Sequence, residues 1–429
     1  MARPDILRRR ARAALHWLAA AGLALAGAGL QAEDCFPRSS EPPPHSNNRW
    51  IHPGTNPDGM ANSWPPPVAT DLRGRFPCSR LFRWCDLDGV LRDAHVCALL
   101  VIQRGRLVHE YYEAANKNCG DDQDPVANGP DKLYGLASVA KSVTATLLGH
   151  VMAQPAVFGT VGLDDPVSLH LDGLPVGTAL HQVTLRQALT MTSALHYDDD
   201  DNCLKKWTVD HAPEVSRTLV DAVGHYRNRD PRTTPGRDFH YAGLNTALLG
   251  LTVESLLARQ PDTGPKHLDE ALQAWVWQEA GMRSPARWKG DKADTPIAYC
   301  CLYMTARDLG RFGAYLLEHW KAAQTPGATR FDRWVAEAGA VQVWPDHRAC
   351  YVEQRRIRIG YGHHWWSLPP SEGFSAIGIG GQFLHILPDQ DTVIVQFGSW
   401  PGERAADWPD GTECDVYAAH RFLANHRWP

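Results

Sequence analysis

The sequence has little positive charge and few long apolar runs, and these shortages exclude several classes of protein. Its 43 Lys and Arg are outnumbered by 48 Asp and Glu, which leaves a formal net charge of −5. This balance argues against nucleic-acid binding, because such proteins need a basic surplus to neutralise phosphates. With 44% hydrophobic and 21% charged residues over 429 positions, the chain has a globular composition rather than that of a disordered or polytopic membrane protein.

Several motifs that would announce a metal site or a common hydrolase are also missing. The ten cysteines contain no C-x-x-C pair, and the 20 His contain no H-E-x-x-H, so the sequence predicts no metal and no cofactor. The G-x-S-x-G motif of α/β hydrolases is absent, since Gly373–Ile377 lacks the final glycine.

The first 32 residues are predicted to be a secretory signal peptide. Four arginines between positions 8 and 12 precede an apolar stretch from Ala13 to Leu30, and Ala32 offers a small residue for cleavage. The alternative is an uncleaved anchor, since about 18 apolar residues can just span a bilayer. Cleavage would remove five Arg and one Asp, taking the net charge from −5 to −9. We therefore expect a periplasmic or secreted protein without a stable membrane span.

Export would place the cysteines in an oxidising compartment, which favours structural disulfides. Cys300 and Cys301 are adjacent in the sequence. Because bridges between neighbours are rare, we expect each of these two to pair elsewhere or to stay buried. The spacing leaves the connectivity of the others open.

The chain after the signal divides into an arm and a main domain. Residues 33–90 are rich in Pro and Asn, and we interpret them as an arm that wraps the domain, with a linker as the alternative. Residues 91–429 would form the domain.

Residue patterns predict α+β elements for that domain. The predicted strands are Cys97–Ile102, Leu107–Tyr111, His363–Leu368, Gln382–Leu387 and Thr392–Phe397. The predicted helices are Ser138–Met152, Thr184–Thr192, Leu244–Leu257, Leu268–Ala280, Thr305–Glu318 and Cys414–Asn425. Strands at both ends of a helical middle indicate one antiparallel sheet flanked by helices, with a helical subdomain inserted.

Ser138 and Lys141 form the candidate chemical centre. Residues three apart on a helix share a face, with about 5–6 Å between their Cβ atoms. A serine hydroxyl needs a neighbour that takes its proton, and a desolvated lysine can serve. Ser138 is predicted at a helix N-terminus, whose N–H groups favour developing negative charge. S-x-x-K occurs by chance in long chains, so its surroundings decide its meaning.

The surroundings resemble a known superfamily. Leu136–Ser142 closely resembles the nucleophile helix of the serine β-lactamase and penicillin-binding-protein superfamily. Further segments resemble its motifs in family order: Gly162–Val167, Thr184–Ser193, Pro235–Gly250 and Thr305–Phe312. The resemblance covers roughly residues 95 to 425 and implies the β-lactamase/transpeptidase-like fold.

The resemblance also implies roles for individual residues. Ser138 would be the acylated nucleophile, Lys141 its proton partner, and Tyr241 a proton relay to the leaving group or the deacylating water. The alternative for Tyr241 is a packed core aromatic. Backbone N–H groups of Ser138 and Ile379 would form the oxyanion hole, beside Gly378.

Two departures from the family pattern narrow the substrate. The Tyr-x-Asn motif reads Tyr241-Ala242-Gly243, so the amide-holding Asn is missing, and Asn245 is a candidate substitute. The third motif reads Ala376-Ile377-Gly378, so the cation that pairs with a β-lactam or D-Ala carboxylate is missing too. The form of Gly378–Gln382 is similar to the nylon-oligomer hydrolase and carboxylesterase branch.

These features predict an exported serine hydrolase acting on small esters or amides. A β-lactamase or D,D-carboxypeptidase is the alternative within the superfamily, and a non-catalytic binding protein is the alternative from another class. Tyr197 and Gly378 are further candidates for substrate binding. The acidic run Asp198–Asp201 after Tyr197 is either a solvated loop or a rim that attracts a cationic substrate.

Overall fold

The computed structural model describes most of the chain from position 48 onwards. The described ranges are 48–53, 64–68, 70–78, 83–114, 119, 126–196, 204, 208, 218–261, 264–346, 349–352, 355–368, 373–400 and 412–429. The predicted signal peptide, Tyr197 and Asp198–Asp201 lie outside these residues.

Helices and strands in the described ranges are numbered in chain order. The α-helices are α1 Leu87–Asp93, α2 Val139–Ala153, α3 Pro155–Phe158, α4 Val167–His170, α5 Leu185–Leu189, α6 Leu219–Val223, α7 Gly243–Ala258, α8 Leu268–Leu272, α9 Ala306–Ala322, α10 Arg330–Gly339 and α11 Thr412–Ala424. The strands are β1 Asn48–Ile51, β2 Arg75–Pro77, β3 Trp84–Asp86, β4 Val96–Gln103, β5 Arg106–Tyr112, β6 Tyr134–Gly135, β7 Ala286–Lys289, β8 Leu302–Met304, β9 Ala349–Val352, β10 Arg355–Arg358, β11 Gly360–Tyr361, β12 Trp366–Ser367, β13 Phe374–Gly378, β14 Gln382–Leu387 and β15 Thr392–Gly398. None of the helices in these ranges is both long and apolar enough to cross a membrane.

A seven-stranded antiparallel sheet forms the centre of the fold. Its strand order is β11-β12-β13-β14-β15-β4-β5, so β4 from the start of the domain lies beside β15 from its end. Alternate residues of β4 enter two different cores. Leu100 belongs to a core that includes residues of helices α2, α7 and α9, whereas Leu99 belongs to a core that includes residues of α1 and α11. Because helices cover both faces, the central strands are apolar almost throughout. The expected β-lactamase/transpeptidase-like α+β fold is confirmed by this architecture and by the structural comparisons below.

A second sheet connects the N-terminal region to the segment that carries Ser138. Its order is β1-β7-β8-β6, and β6 leads directly into Ser138. Strand β1 belongs to the predicted arm and pairs antiparallel with β7. The guanidinium of Arg49 in β1 donates hydrogen bonds to Asp269 at 2.7 Å and to Asp294 at 2.9 Å, which binds this strand to the domain.

Three predicted elements include stretches of several residues that adopt another structure. The predicted strand His363–Leu368 is wrong for its first half, because His363 and His364 lie in a bend and only Trp366–Ser367 are in a strand. The predicted helix Leu268–Ala280 is α-helical only to Leu272 and continues as a π-helix over Gln273–Trp277. The predicted helix Thr184–Thr192 ends at Leu189, since Met191 has a φ of +57° that a helix does not accommodate.

The described cysteines form four pairs at bonding distance. They are Cys78–Cys85, Cys97–Cys119, Cys300–Cys301 and Cys350–Cys414, with Cα–Cα distances of 5.5, 5.5, 3.8 and 5.3 Å. The expectation that Cys300 and Cys301 pair elsewhere or stay buried is wrong, because they pair with each other and both are half-buried. A left-handed backbone at Cys301, with φ of +70°, accompanies this pairing.

Candidate active site

The candidate nucleophile lies at the junction of the second sheet and helix α2. The amide of Leu136 donates to the Leu302 carbonyl at 2.8 Å, and Ala137 then turns the chain with a φ of +47°. Ser138 immediately precedes the helix, and its half-buried hydroxyl makes no capping bond to the helix backbone. The hydroxyl of a residue at this position, usually used for capping, is therefore available for another partner.

That partner is Lys141, one turn along the helix. Its Nζ donates to Ser138 Oγ at 2.9 Å and to the Tyr299 carbonyl at 2.8 Å, and its side chain is buried. An amine held at this distance can, in its neutral form, accept the serine proton. The three-residue spacing thus places the two predicted groups in contact.

Tyr241 lies beside the lysine, just before helix α7. Its ring centroid is 5.2 Å from Lys141 Nζ, and the ring stacks on Trp366 at 5.6 Å. Tyr361 meets the same ring edge-on at 6.1 Å. Tyr241 is half-buried, so it both packs on aromatic neighbours and borders the lysine. The structure therefore brings together the three side chains that the sequence singled out.

The turn between β13 and β14 lies against the segment that precedes Ser138. A Cβ added to Gly378 would be 2.5 Å from the Leu136 carbonyl oxygen and 3.0 Å from Ala137 Cβ, so only glycine permits this approach. Ile379 follows, with 41% of its surface exposed. The backbone around Ser138 therefore lies close to the backbone around Ile379. These two residues carry the candidate oxyanion donors.

The side chain of Gln382 connects the turn between β13 and β14 to strand β15 by hydrogen bonds. Its Nε2 donates to the Ile379 carbonyl at 3.2 Å and to the Gly398 carbonyl at 3.0 Å, and its Oε1 accepts from the Gly398 amide at 3.3 Å. Gly380 and Gly381 take φ values of +86° and +88°, which side chains other than glycine rarely adopt. The position of the Ile379 peptide is thus held by strand β15.

A buried histidine, His364, contacts helix α2, which carries Lys141. The Ser142 hydroxyl donates to the His364 carbonyl at 2.6 Å, and His364 Nδ1 donates to the Leu189 carbonyl at 2.9 Å. Its Nε2 accepts from the Thr246 hydroxyl at 3.0 Å. Burial and the nearby charge of Lys141 lower the pKa of His364 to about 3, so the ring is neutral at physiological pH.

Comparison with known proteins identifies the family. The profile described as Beta-lactamase matches residues 91–410, which is more than half of the chain. The chain belongs to the beta-lactamase family. It is therefore a beta-lactamase-family serine hydrolase, and the resemblance that the sequence motifs indicated is confirmed.

Individual proteins similar to this beta-lactamase-family chain are consistent with that assignment. The 6-aminohexanoate-dimer hydrolase of Paenarthrobacter ureafaciens is 27% identical over 344 residues, which cover 75% of this chain and 77% of that enzyme. A solved Bacillus anthracis structure named for the same activity covers 89% of this chain and 91% of its own, at 20% identity and a TM-score of 0.68. A penicillin-binding protein from Bacillus halodurans covers 79% of this chain and 98% of its own, at 18% identity and a TM-score of 0.55. The two structural likenesses show the fold.

Of the three candidates for substrate binding in this beta-lactamase-family protein, Gly378 lies against the segment that precedes Ser138. Tyr197 lies outside the described residues. Asn245 is buried in helix α7, where its Nδ2 donates to the Met191 sulfur at 3.4 Å and its Oδ1 has no hydrogen-bond partner among the described residues. The side chain of Asn245 is closed off from solvent, so it offers a ligand no surface in this conformation.

A possible metal site can be assessed in the same way. Within the described ranges, the residues that could jointly hold an ion are Cys78, Cys85 and Asp415. The two sulfurs are bonded to each other, so they are unavailable as thiolate ligands.

Sequence reasoning missed two contributors to this site. Tyr299 acts through its carbonyl oxygen, and any residue carries a carbonyl, so no side-chain signal marks it. The sequence pattern predicts a strand at His364, but its positive φ of +62° and its buried polar contacts show a tight turn packed against helix α2. The doublet of adjacent histidines was the one available signal for a buried polar cluster.

Proposed function

We propose that the protein is an exported serine hydrolase that cleaves small esters and linear amides through an acyl-enzyme on Ser138. The observation that carries the proposal is the position of Lys141 Nζ, which contacts both Ser138 Oγ and the Tyr299 carbonyl beside the Tyr241 ring. The similarity to a 6-aminohexanoate-dimer hydrolase supports linear amides as one substrate class.

The first step forms the acyl-enzyme. Ser138 Oγ attacks the substrate carbonyl carbon, its proton moves to the neutral amine of Lys141, and negative charge collects on the carbonyl oxygen. Backbone N–H groups of Ser138 and Ile379 stabilise that oxyanion. The bond to the leaving group then breaks, and Tyr241 passes the proton from Lys141 to the leaving alkoxide or amine.

The second step releases the acid. A water molecule attacks the acyl carbon while Tyr241 and Lys141 take up its proton, and the Ser138 Oγ bond breaks as the proton returns to that oxygen. Ser138, Lys141 and Tyr241 carry out the proton transfers of both steps. This route therefore needs no metal or cofactor.

Esters are proposed as better substrates than β-lactams. Ala376 supplies no cation for a β-lactam carboxylate and is only 1% exposed within the core behind helix α2. The Asn of the second motif is also replaced, by Gly243. Ester alkoxides leave more readily than amines, so an ester tolerates the loss of an amide-orienting group.

The test is a panel of short p-nitrophenyl esters, linear 6-aminohexanoate dimer and nitrocefin. We expect kcat/KM for the esters to exceed that for nitrocefin by at least about 100-fold, or about 2.7 kcal/mol in transition-state stabilisation. Ser138→Ala should abolish turnover, and Ser168→Ala, which removes a half-buried hydroxyl bonded to the His181 carbonyl, should retain it. Ester hydrolysis that survives in Ser138→Ala would refute the mechanism. Nitrocefin turnover equal to that of the esters would favour a β-lactamase instead.

Export is proposed on separate grounds. The basic and apolar pattern of residues 1–32 supports a cleaved signal, and the four cysteine pairs are compatible with an oxidising compartment. We propose that residues 33–90 form an arm on a hydrolase domain of residues 91–429. N-terminal sequencing of protein from a bacterial periplasmic fraction should begin at Glu33. Protein that stays in the membrane with its N-terminus intact would contradict cleavage.

A further inference from the structure

Four consecutive backbone carbonyls, from Tyr299 to Leu302, each accept a hydrogen bond from a different place. The donors, in the order of the four carbonyls, are Lys141 Nζ at 2.8 Å, Trp288 Nε1 at 3.1 Å, the Lys289 amide at 3.0 Å and the Leu136 amide at 2.8 Å. The first and last of these bonds reach the candidate base and the segment that carries the candidate nucleophile. The 299–302 segment therefore connects both reacting groups to strand β7.

The paired cysteines occupy the middle of this segment. A bond between the side chains of neighbouring residues closes a small ring through their shared peptide, which removes most of the backbone freedom of both. Cys301 has a φ of +70°, a conformation that costs an L-residue about 1–2 kcal/mol. Without the ring, Cys301 is free to relax to negative φ, and the directions of the neighbouring carbonyls change with it.

We propose that the Cys300–Cys301 pair is a redox-sensitive positioning element for Lys141, an inference that rests on the proposed function. A small dithiol can reach the pair, because both residues are half-buried. The exchange breaks the sulfur–sulfur bond and forms two thiols, while the dithiol gives up two hydrogens and becomes a disulfide itself. The freed Tyr299 carbonyl then no longer holds Lys141 Nζ on Ser138 Oγ.

The expected effect is on turnover more than on substrate binding. Misplacement of a reacting group by about 1 Å can cost 100-fold in rate. We expect the kcat for a p-nitrophenyl ester to fall about 10- to 100-fold on reduction, with KM changed less than about twofold, because the 299–302 segment acts through the base.

The experiment compares three proteins with and without dithiothreitol. Wild-type kcat should fall on reduction and return on reoxidation with oxidised glutathione. The variant Cys300→Ala/Cys301→Ala should have the low kcat from the start and should not respond to dithiothreitol. The matched control Cys78→Ala/Cys85→Ala removes a pair that joins β2 to β3, and its kcat should respond as the wild type does. A Cys300→Ala/Cys301→Ala variant with wild-type kcat would overturn the proposal, as would a variant that loses further activity in dithiothreitol.

A second measurement keeps this proposal separate from the hydrolase function. Hydrogen exchange followed by mass spectrometry reports the amides of Leu136 and Lys289, whose acceptors lie in the 299–302 segment. Reduction should speed exchange at both amides while the peptides of helix α9 stay protected. Unchanged exchange at both amides would overturn the positioning role, whether or not the protein shows Ser138-dependent turnover. Absence of that turnover alone would refute the proposed function.

Discussion

His363 offers a direct test of how burial controls the acid stability of this fold. The ring is fully buried with its centroid 5.1 Å from that of Trp334, and neither ring nitrogen has a hydrogen-bond partner among the described residues. Burial, reinforced by the charge of Arg186, lowers the pKa of His363 to about 4. The folded protein therefore keeps this ring neutral under conditions in which an unfolded chain would protonate it.

The sign and size of the effect follow from this difference. An unfolded histidine has a pKa of about 6.5, so the full stability is present above that pH, is lost progressively as the pH falls towards 4, and changes little below it. A pH of 5 is about 1.5 units below the pKa of the unfolded histidine. Protonation therefore stabilises the unfolded state by about 2 kcal/mol at this pH, and the folded state gains almost none of this free energy. His363→Phe removes this contribution and also removes two buried nitrogens without partners.

Urea unfolding at pH 7.5 and pH 5.0, followed by tryptophan fluorescence, measures the effect. We expect the free energy of unfolding of His363→Phe to fall less between the two pH values than that of the wild type, by about 2 kcal/mol. His52→Gln, at an exposed position, should behave as the wild type does. An equal loss in the wild type and His363→Phe would refute the reasoning, since it would mean that His363 is protonated in the folded state.

Three further predictions concern the turn, the arm and the cysteines. Gln382→Leu should lower ester kcat about tenfold with little change in KM, because Ile379 and Gly398 lose their brace, and steady-state kinetics will check this. Arg49→Met should lower the free energy of unfolding by about 2 kcal/mol in urea, because Asp269 loses a charged partner. Thiol titration of denatured, unreduced protein should find no more than two of the ten thiols free, because eight are paired.

The parts of the fold that the sequence predicted best are those set by local spacing. The strand Gln382–Leu387 has the predicted bounds, and Ser138 precedes a helix that carries Lys141 to it, because both features depend on residues a few positions apart. Strands β7 and β8 went unpredicted, since they are only four and three residues long and exist through pairing with distant segments.

The candidate site shows the same division. The contact between the candidate nucleophile Ser138 and the candidate base Lys141 could be predicted, because their side chains and their spacing are visible in the sequence. The Tyr299 carbonyl and the Gln382 brace could not, because both depend on where remote backbone lies. The prediction for Cys300 and Cys301 was wrong because bridges between neighbouring residues are rare. The left-handed backbone at Cys301 makes this pairing possible, and the sequence does not reveal that conformation.

The position of β4 in the central sheet has a consequence for how the protein is made. Gln103 at the end of β4 pairs with Thr392 at the start of β15. Strand β4 therefore lacks this neighbour until nearly the whole chain has been synthesised. Contacts between such distant segments form slowly. The central sheet therefore cannot be completed before β15 has been synthesised, a delay that would suit the export proposed above. The two cores on either side of the sheet both include residues of β4 and β15, so both are complete only once these two strands have paired.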